Sequence, residues 1–311
     1  MKDFFNEKTH CFCGGKRFLA AGSWLKEYFG QKTIKLSIDG GFTCPNRDGS
    51  KGFGGCTFCS DTGSGEFASS IDEQIRLLSK KWPSAKYLAY FQNHTNTYAS
   101  VSELRQKYCD ILGNPKIEGL VIGTRPDCLS DDVLDLLEEI NKNHFLWVEL
   151  GLQTIHQKTA DEFNRCYDLC EFDRAVDELS KRGIRYVVHL ILGLPDETHD
   201  MMLDSVRYVS QKPGLFGMKL HLLNIVKGSA LACTHADYLP FSSIDEYVDL
   251  VVKCLEIIPP DVTIHRLTGD APRSILISPP WSFNKRTILN RIDEQLSLRD
   301  TWQGKFAFKE Q

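Results

Sequence analysis

Short runs rich in β-branched and aromatic residues alternate along this chain with stretches whose apolar residues fall three and four apart. The runs are Lys32 to Ile38, Lys86 to Phe91, Ile117 to Ile122, Phe145 to Leu150, Ile184 to Leu192 and Gly217 to Leu223, and each reads as a strand. The stretches between them read as helices. Val133, Leu134, Leu136, Leu137 and Ile140 make one apolar stripe. Ser130 stands before it as an N-cap, with Asp131 and Asp132 where the helix dipole favours anions. A second helix, Phe172 to Arg182, stops at Gly183, a residue suited to a left-handed cap. A third, Ile244 to Ile258, ends against Pro259 and Pro260, which cannot continue it.

A strand followed by a helix, repeated, resolves as a parallel sheet with right-handed crossovers. The expected class is α/β, with the sheet curled into a partial (β/α)6 TIM-like barrel or doubly wound. Either way the chemistry belongs at the carboxyl ends of the strands. The predicted division is an N-terminal extension over 1–30, a barrel over 31–260 and a C-terminal extension over 261–311. A seventh extended run, Val262 to Leu267, leads into that last segment.

At 311 residues one sizeable core is affordable, and no apolar run approaches the roughly 20 residues that cross a bilayer. The polar start, Met1 to His10, carries no apolar stretch that would serve as a secretory signal, so a cytoplasmic location is expected. A net charge of −4 argues against a surface that grips nucleic acid all over, while leaving room for a local patch. Eleven cysteines in a reducing compartment point to metal ligands or buried apolar residues before disulfides.

The cysteines that cluster follow the first strand. Cys44, Cys56 and Cys59 are spaced C-x11-C-x2-C in a loop with glycines at 40, 41, 49, 52, 54 and 55. Three thiolates can hold three irons of a cubane and leave the fourth iron open for chemistry. A structural zinc loop is the alternative, but it prefers four closed ligands, and His94 and Cys109 fall in later elements. Cys11, Cys13, Cys166 and Cys170 have spacings too weak to assign to a second metal.

With Phe58 just before its last cysteine, this loop resembles that of the radical S-adenosylmethionine (SAM) superfamily, although C-x3-C-x2-C is the usual spacing there. The longer first gap, together with Thr124-Arg125-Pro126-Asp127, is similar to the catalytic subunit of Elongator, a modifier of tRNA wobble uridine. The YhcC/YtqA subfamily of bacteria is closer still, over about residues 30 to 290. The resemblance implies a [4Fe–4S] cluster on Cys44, Cys56 and Cys59, and SAM as cofactor. It further implies an external one-electron donor such as flavodoxin or ferredoxin. SAM contacts are implied for Phe58, for Gln92 and Asn93 after the second strand, and for Glu149, Gln153 and Arg165 around the fourth strand and its helix. His189 on the fifth strand is implied at the ribose, and an arginine fork would suit the methionine carboxylate. His221 and Lys227 fall near the expected adenine pocket, with His221 read as a core residue.

By the same resemblance the substrate is tRNA, at the C5 side chain of the wobble uridine, with carboxymethylaminomethyl converted to aminomethyl. Composition adds one feature. From His265 to Arg291, five basic side chains stand against Asp270 alone, interleaved with Trp281 and Phe283, a mix that suits phosphate contact and base stacking. Packing of those aromatics on the barrel bottom is the alternative. A radical SAM enzyme on a small metabolite and a zinc-stabilised binding protein remain open.

Overall fold

The computed structural model describes residues 4–59 and 70–307. A small antiparallel hairpin, β1 (Phe5–Asn6) with β2 (Cys11–Phe12), precedes α1 (Ala21–Phe29). The repeating part then runs β3 (Thr33–Ile38), α2 (Ile71–Ser79), β4 (Lys86–Phe91), α3 (Val101–Leu112), β5 (Ile117–Thr124) and α4 (Asp131–Asn143). It continues through β6 (Phe145–Gln153), α5 (Gln157–Glu162), α6 (Leu169–Lys181), β7 (Arg185–Leu192), α7 (His199–Ser210) and β8 (Leu215–Leu222). The last part comprises β9 (Ile225–Val226), α8 (Ala230–Thr234), α9 (Ile244–Ile257), β10 (Thr263–Arg266), β11 (Leu276–Ser278) and α10 (Lys285–Leu298). The predicted strands and helices all form, α6 meets Gly183 at φ +62° as its sequence implied, and Ser130 caps α4 by position without a side-chain bond.

The main sheet has seven strands in the order β10-β8-β7-β6-β5-β4-β3, parallel throughout. The seventh run therefore does not leave the barrel. β10 adds a further parallel strand beside β8, so the sheet extends past residue 260, where the C-terminal extension was expected to begin. In a flat sheet β4 and β8 would lie about 19 Å apart, four spacings of about 4.8 Å. Instead Lys219 Nζ on β8 stands 3.2 Å from Tyr90 Oη on β4, so the sheet curls into an open half-barrel.

Two apolar layers hold it. Helices α2, α3, α4, α6, α7 and α9 cover the outside, their buried stripes meeting the outward residues of the strands in one continuous core. Inside, at the amino end, Leu88, Val121, Trp147 and Val187 pack around Leu25, with Trp24 and Phe29 against them. The N-terminal segment is thus no appendage, because α1 plugs the bottom of the half-barrel. The two chain ends meet there as well. The Gln303 side chain accepts from Leu19 N–H and donates to the Pro259 and Val262 carbonyls, while Lys16 pairs with Asp293 and Arg17 with Asp300.

Candidate active site

A cavity of about 330 Å³ opens at the carboxyl ends of the strands, within the range of small-molecule sites. Cys44, Cys56 and Cys59 all line it. Their loop folds back sharply at Gly49, Gly54 and Gly55, whose φ angles of +90°, +81° and +75° suit only glycine. The loop is fastened from outside by the 124–127 motif. Asp127, its side chain fully buried, takes Arg125 in a two-pronged pair at 3.0 Å and also Lys51 of the cysteine loop at 2.6 Å.

Each sulfur environment differs. Thr95 donates to Cys44 Sγ at 3.1 Å and the Asn46 amide to Cys56 Sγ at 3.3 Å, and bonds of this kind tune a thiolate ligand. The Cys59 thiol donates toward Cys56. With Arg125, Asn46 and Arg47 it holds Cys56 at about 7 against the effect of burial. Cys59, as the proton holder of that pair, is raised well above its ordinary value, and burial pushes Cys44 up. Among the described residues no three His, Cys, Asp or Glu side chains converge on a single-ion point. One zinc needs its donors on one point, whereas a cubane takes each thiolate on a separate iron. Three thiols on one cavity wall, Cys59 beside Cys56, offer the three thiolates that a cubane takes.

Above the apolar plug the inner face of the sheet turns polar. Glu149 on β6, with no exposed side-chain surface, gathers five donors. Tyr90 Oη reaches its Oε2 at 2.5 Å, His189 Nε2 at 2.9 Å and Lys219 Nζ at 2.5 Å. Trp147 Nε1 and Lys35 Nζ reach Oε1 at 3.1 and 3.5 Å. Burial alone would raise Glu149, yet Lys219, Lys35 and His189 hold it well below the usual carboxylate range. Burial pulls Lys219 down to about 7 and His189 to about 4, so His189 is a neutral donor to Glu149.

The sequence of this chain matches the pattern of the radical SAM superfamily over residues 44–209, and that of the radical SAM C-terminal domain over 216–297. The first match begins on Cys44 and takes in every strand from β4 to β7. The chain belongs to the radical SAM superfamily. Proteins similar to it include YtqA of Bacillus subtilis (strain 168), 45% identical over 300 residues, covering 94% of this chain and 93% of that one. YhcC of Escherichia coli (strain K12) is 40% identical over 282 residues, covering 89% and 91%. Among solved structures, the archaeal Methanocaldococcus infernus Elp3 with an N-terminal deletion superposes with a TM-score of 0.62 at 15% identity. That superposition covers 85% of this chain and 63% of the other, and shows a common fold. This is a radical SAM enzyme, and its cofactors are a [4Fe–4S] cluster and SAM.

Several of the residues expected at a radical SAM site do line the cavity: Phe58, Gln92, Glu149, Gln153 and His189. Phe58 stacks edge-on against Phe163, with ring centroids 5.3 Å apart. Gln92 accepts from Ser37 Oγ at 2.8 Å, and Gln153 sits at a register shift of β6 with φ +67°. Asn93 is buried and does not line the cavity; its neighbour His94 does, turned inward at φ +60° until Nδ1 lies 3.9 Å from Cys44 Sγ. The sequence placed His94 in a later element, which is true of the chain and not of the space.

Arg165 differs from expectation in kind. It lies beyond α5 and not on it, because Asn164 at φ +62° ends that helix, and its side chain is 1% exposed. Its guanidinium donates to the carbonyls of Leu152, Thr154 and Tyr167 and to Gln157 Oε1. The arginine thus lines the cavity while most of its fork is spent bracing the end of β6. His221, expected in the core, lines the cavity too, and its buried Nε2 has no hydrogen-bond partner.

The sequence reading passed over Thr95, Asn46, Tyr90 and Lys219. The signal for Lys219 was a lysine in the middle of an apolar strand, in phase with His221. The basic C-terminal tract sits at the mouth and not at the barrel bottom, since β11 pairs with β9 just beyond β8, and Gly269 to Pro272 line the cavity. Much of its charge is matched, Arg266 and Lys285 by Asp270, and Arg291 by Asp245 and Glu294. Trp281 packs toward Tyr247, whereas Phe283 stays 43% exposed beneath the Arg273 guanidinium.

Among the described residues no helix is long and apolar enough to cross a membrane.

Proposed function

We propose that Cys44, Cys56 and Cys59 hold the [4Fe–4S] cluster, and that the enzyme acts on the C5 side chain of tRNA wobble uridine, converting carboxymethylaminomethyl to aminomethyl; the two-carbon unit leaves with water as glyoxylate, and SAM, ending as methionine and 5′-deoxyadenosine, takes up the two electrons of that oxidation. The observation that carries the cluster assignment is the convergence of three thiols from one glycine-bent loop on the cavity that the inward strand residues also line. Bound there, the cluster and SAM supply the 5′-deoxyadenosyl radical by reductive cleavage of the sulfonium. The one electron comes from a donor outside the chain, such as flavodoxin or ferredoxin.

The chain's own residues do the rest. Asp127 and Lys51 fix the loop, Thr95 and Asn46 hydrogen-bond two of the sulfurs, and the half-barrel wall keeps water away from the reacting carbon. The likeness to Elongator at Thr124–Asp127 supports tRNA as substrate, and so does the exposed Phe283 stacked with Arg273 beside a cavity mouth that Pro272 lines. Mass spectrometry of tRNA nucleosides from a strain lacking the enzyme tests this reading. The expected result is accumulation of the carboxymethylaminomethyl form; an unchanged wobble uridine refutes it. Iron and sulfide content of oxygen-free protein tests the cluster, with about four of each expected.

A further inference from the structure

The polar floor of the cavity carries more positive than negative charge. Lys219 on the cavity wall and the 29%-exposed Lys35 beside it share the single carboxylate of Glu149, and the nearby Arg266 shares Asp270 with Lys285. Positive charge is therefore in excess around Lys219, itself 4% exposed, and a buried ammonium in that condition calls for a counter-ion. One N–H donor and one ring nitrogen also stand open, the latter a donor in its Nε2–H tautomer. The Lys219 ammonium spends one N–H on Glu149 and one on Tyr90, which leaves a third. The buried Nε2 of His221, two residues further along the same face of β8, has no partner in a ring that lines the cavity. Buried polar atoms are nearly always satisfied, so an orphan pointing into a cavity asks for a ligand.

We propose that Lys219 and His221, with Glu149 and Tyr90 holding the ammonium in place, form a buried subsite for a carboxylate group of the substrate. An unspent ammonium N–H beside an imidazole that offers Nε2–H matches the two oxygens of a carboxylate. The site is distinct from the open iron, where the family resemblance puts the amino and carboxylate groups of SAM. The proposal rests on the cavity being the substrate site and deepens the function proposed above, since a carboxymethylaminomethyl side chain ends in such a carboxylate and its product does not. The floor would then select substrate over product by charge.

The test titrates cluster-loaded, SAM-bound enzyme without oxygen, by calorimetry, with 5-carboxymethylaminomethyluridine and with its carboxamide. The acid is expected to bind at least about tenfold more tightly, the scale of a charge-assisted hydrogen-bond pair. His221→Phe is expected to lose part of that preference. Lys219→Met/Glu149→Gln, which removes the pair together and strands no buried charge, is expected to lose all of it. Equal binding of acid and amide overturns the subsite, as does failure of the acid to bind, or a preference that survives in both variants. The tRNA analysis fails independently. Altered wobble uridine without acid preference sinks the subsite alone, and acid preference with unaltered tRNA sinks only the tRNA reading.

Discussion

Lys219 Nζ lies 2.5 Å from Glu149 Oε2, and the two side chains are 4% and 0% exposed, which makes this the most deeply buried ion pair of the half-barrel interior. It joins β6 to β8 across β7 and sets the level at which the apolar plug gives way to the reactive cavity. Removing Glu149 takes away the charge that holds the Lys219 proton and leaves a buried amine without its partner. Glu149→Gln is therefore expected to destabilise the fold by about 3–5 kcal/mol, read from urea unfolding. Lys219→Met/Glu149→Gln should restore most of that loss. A single variant as stable as the wild type would show that water reaches the pair.

The same pair sets a pH dependence. Facing Lys219 are Glu149 and Tyr90, with Lys35, His189, His221 and Arg266 around them. Glu149 is held low, Tyr90 is raised by burial and His189 is pulled to about 4, which leaves Lys219, at about 7, as the member that changes charge near neutrality. The folded lysine gives up its proton at lower pH than the unfolded one, so the folded state binds fewer protons between about 7 and 10.5. Stability from this group rises with pH across that window. Affinity for a carboxylate ligand, which needs the charged ammonium, falls as pH rises through about 7. Calorimetric titrations at pH 6.5 and 8.5 check the second trend, and an affinity flat across them contradicts it.

Cys59→Ala is expected to abolish iron binding and SAM cleavage, while Cys109→Ala, exposed on α3, leaves both near normal. Iron analysis and quantification of 5′-deoxyadenosine decide the matter. Equal loss in the two variants refutes the ligand assignment.

Arg165→Ala removes charged hydrogen bonds to three backbone carbonyls, of which Leu152 O keeps the Thr154 N–H and Tyr167 O the Gln157 amide, and a cost of about 3 kcal/mol is expected. Arg165→Lys should recover little, because an ammonium cannot span the same fan of acceptors. Thermal unfolding reads both. A variant with weakened SAM binding and unchanged stability would return the arginine to direct cofactor contact.

Much of the fold was legible because it rests on period. Strand runs such as Ile184 to Leu192 and helical stripes such as Val133 to Ile140 each carry their own signal, and the βα order then leaves few topologies. The three cysteines were legible by spacing and by their place after the first barrel strand. Arg165 was placed in the right neighbourhood by its distance from Gln153, but nothing in the sequence says that carbonyls from three segments will claim its donors. His94 was hidden by a left-handed backbone that no local residue announces. The charge of the C-terminal tract was overestimated because Asp245, which neutralises Arg291, belongs to the preceding helix. Lys219 and His221 lay in phase on one strand, and only the curl that brings β4 and β8 together turns that phase into a site.

The clasp at the bottom of the half-barrel has a consequence for biosynthesis. Leu19 precedes α1, yet its amide is satisfied by Gln303, near the other end of the chain, and the Leu19 carbonyl is taken by Ile264. A nascent chain emerging from the ribosome has neither partner until residues 264 and 303 have been made. The helix that seals the interior is therefore fastened long after the three cysteines have left the ribosome, and the pocket is closed from below only then.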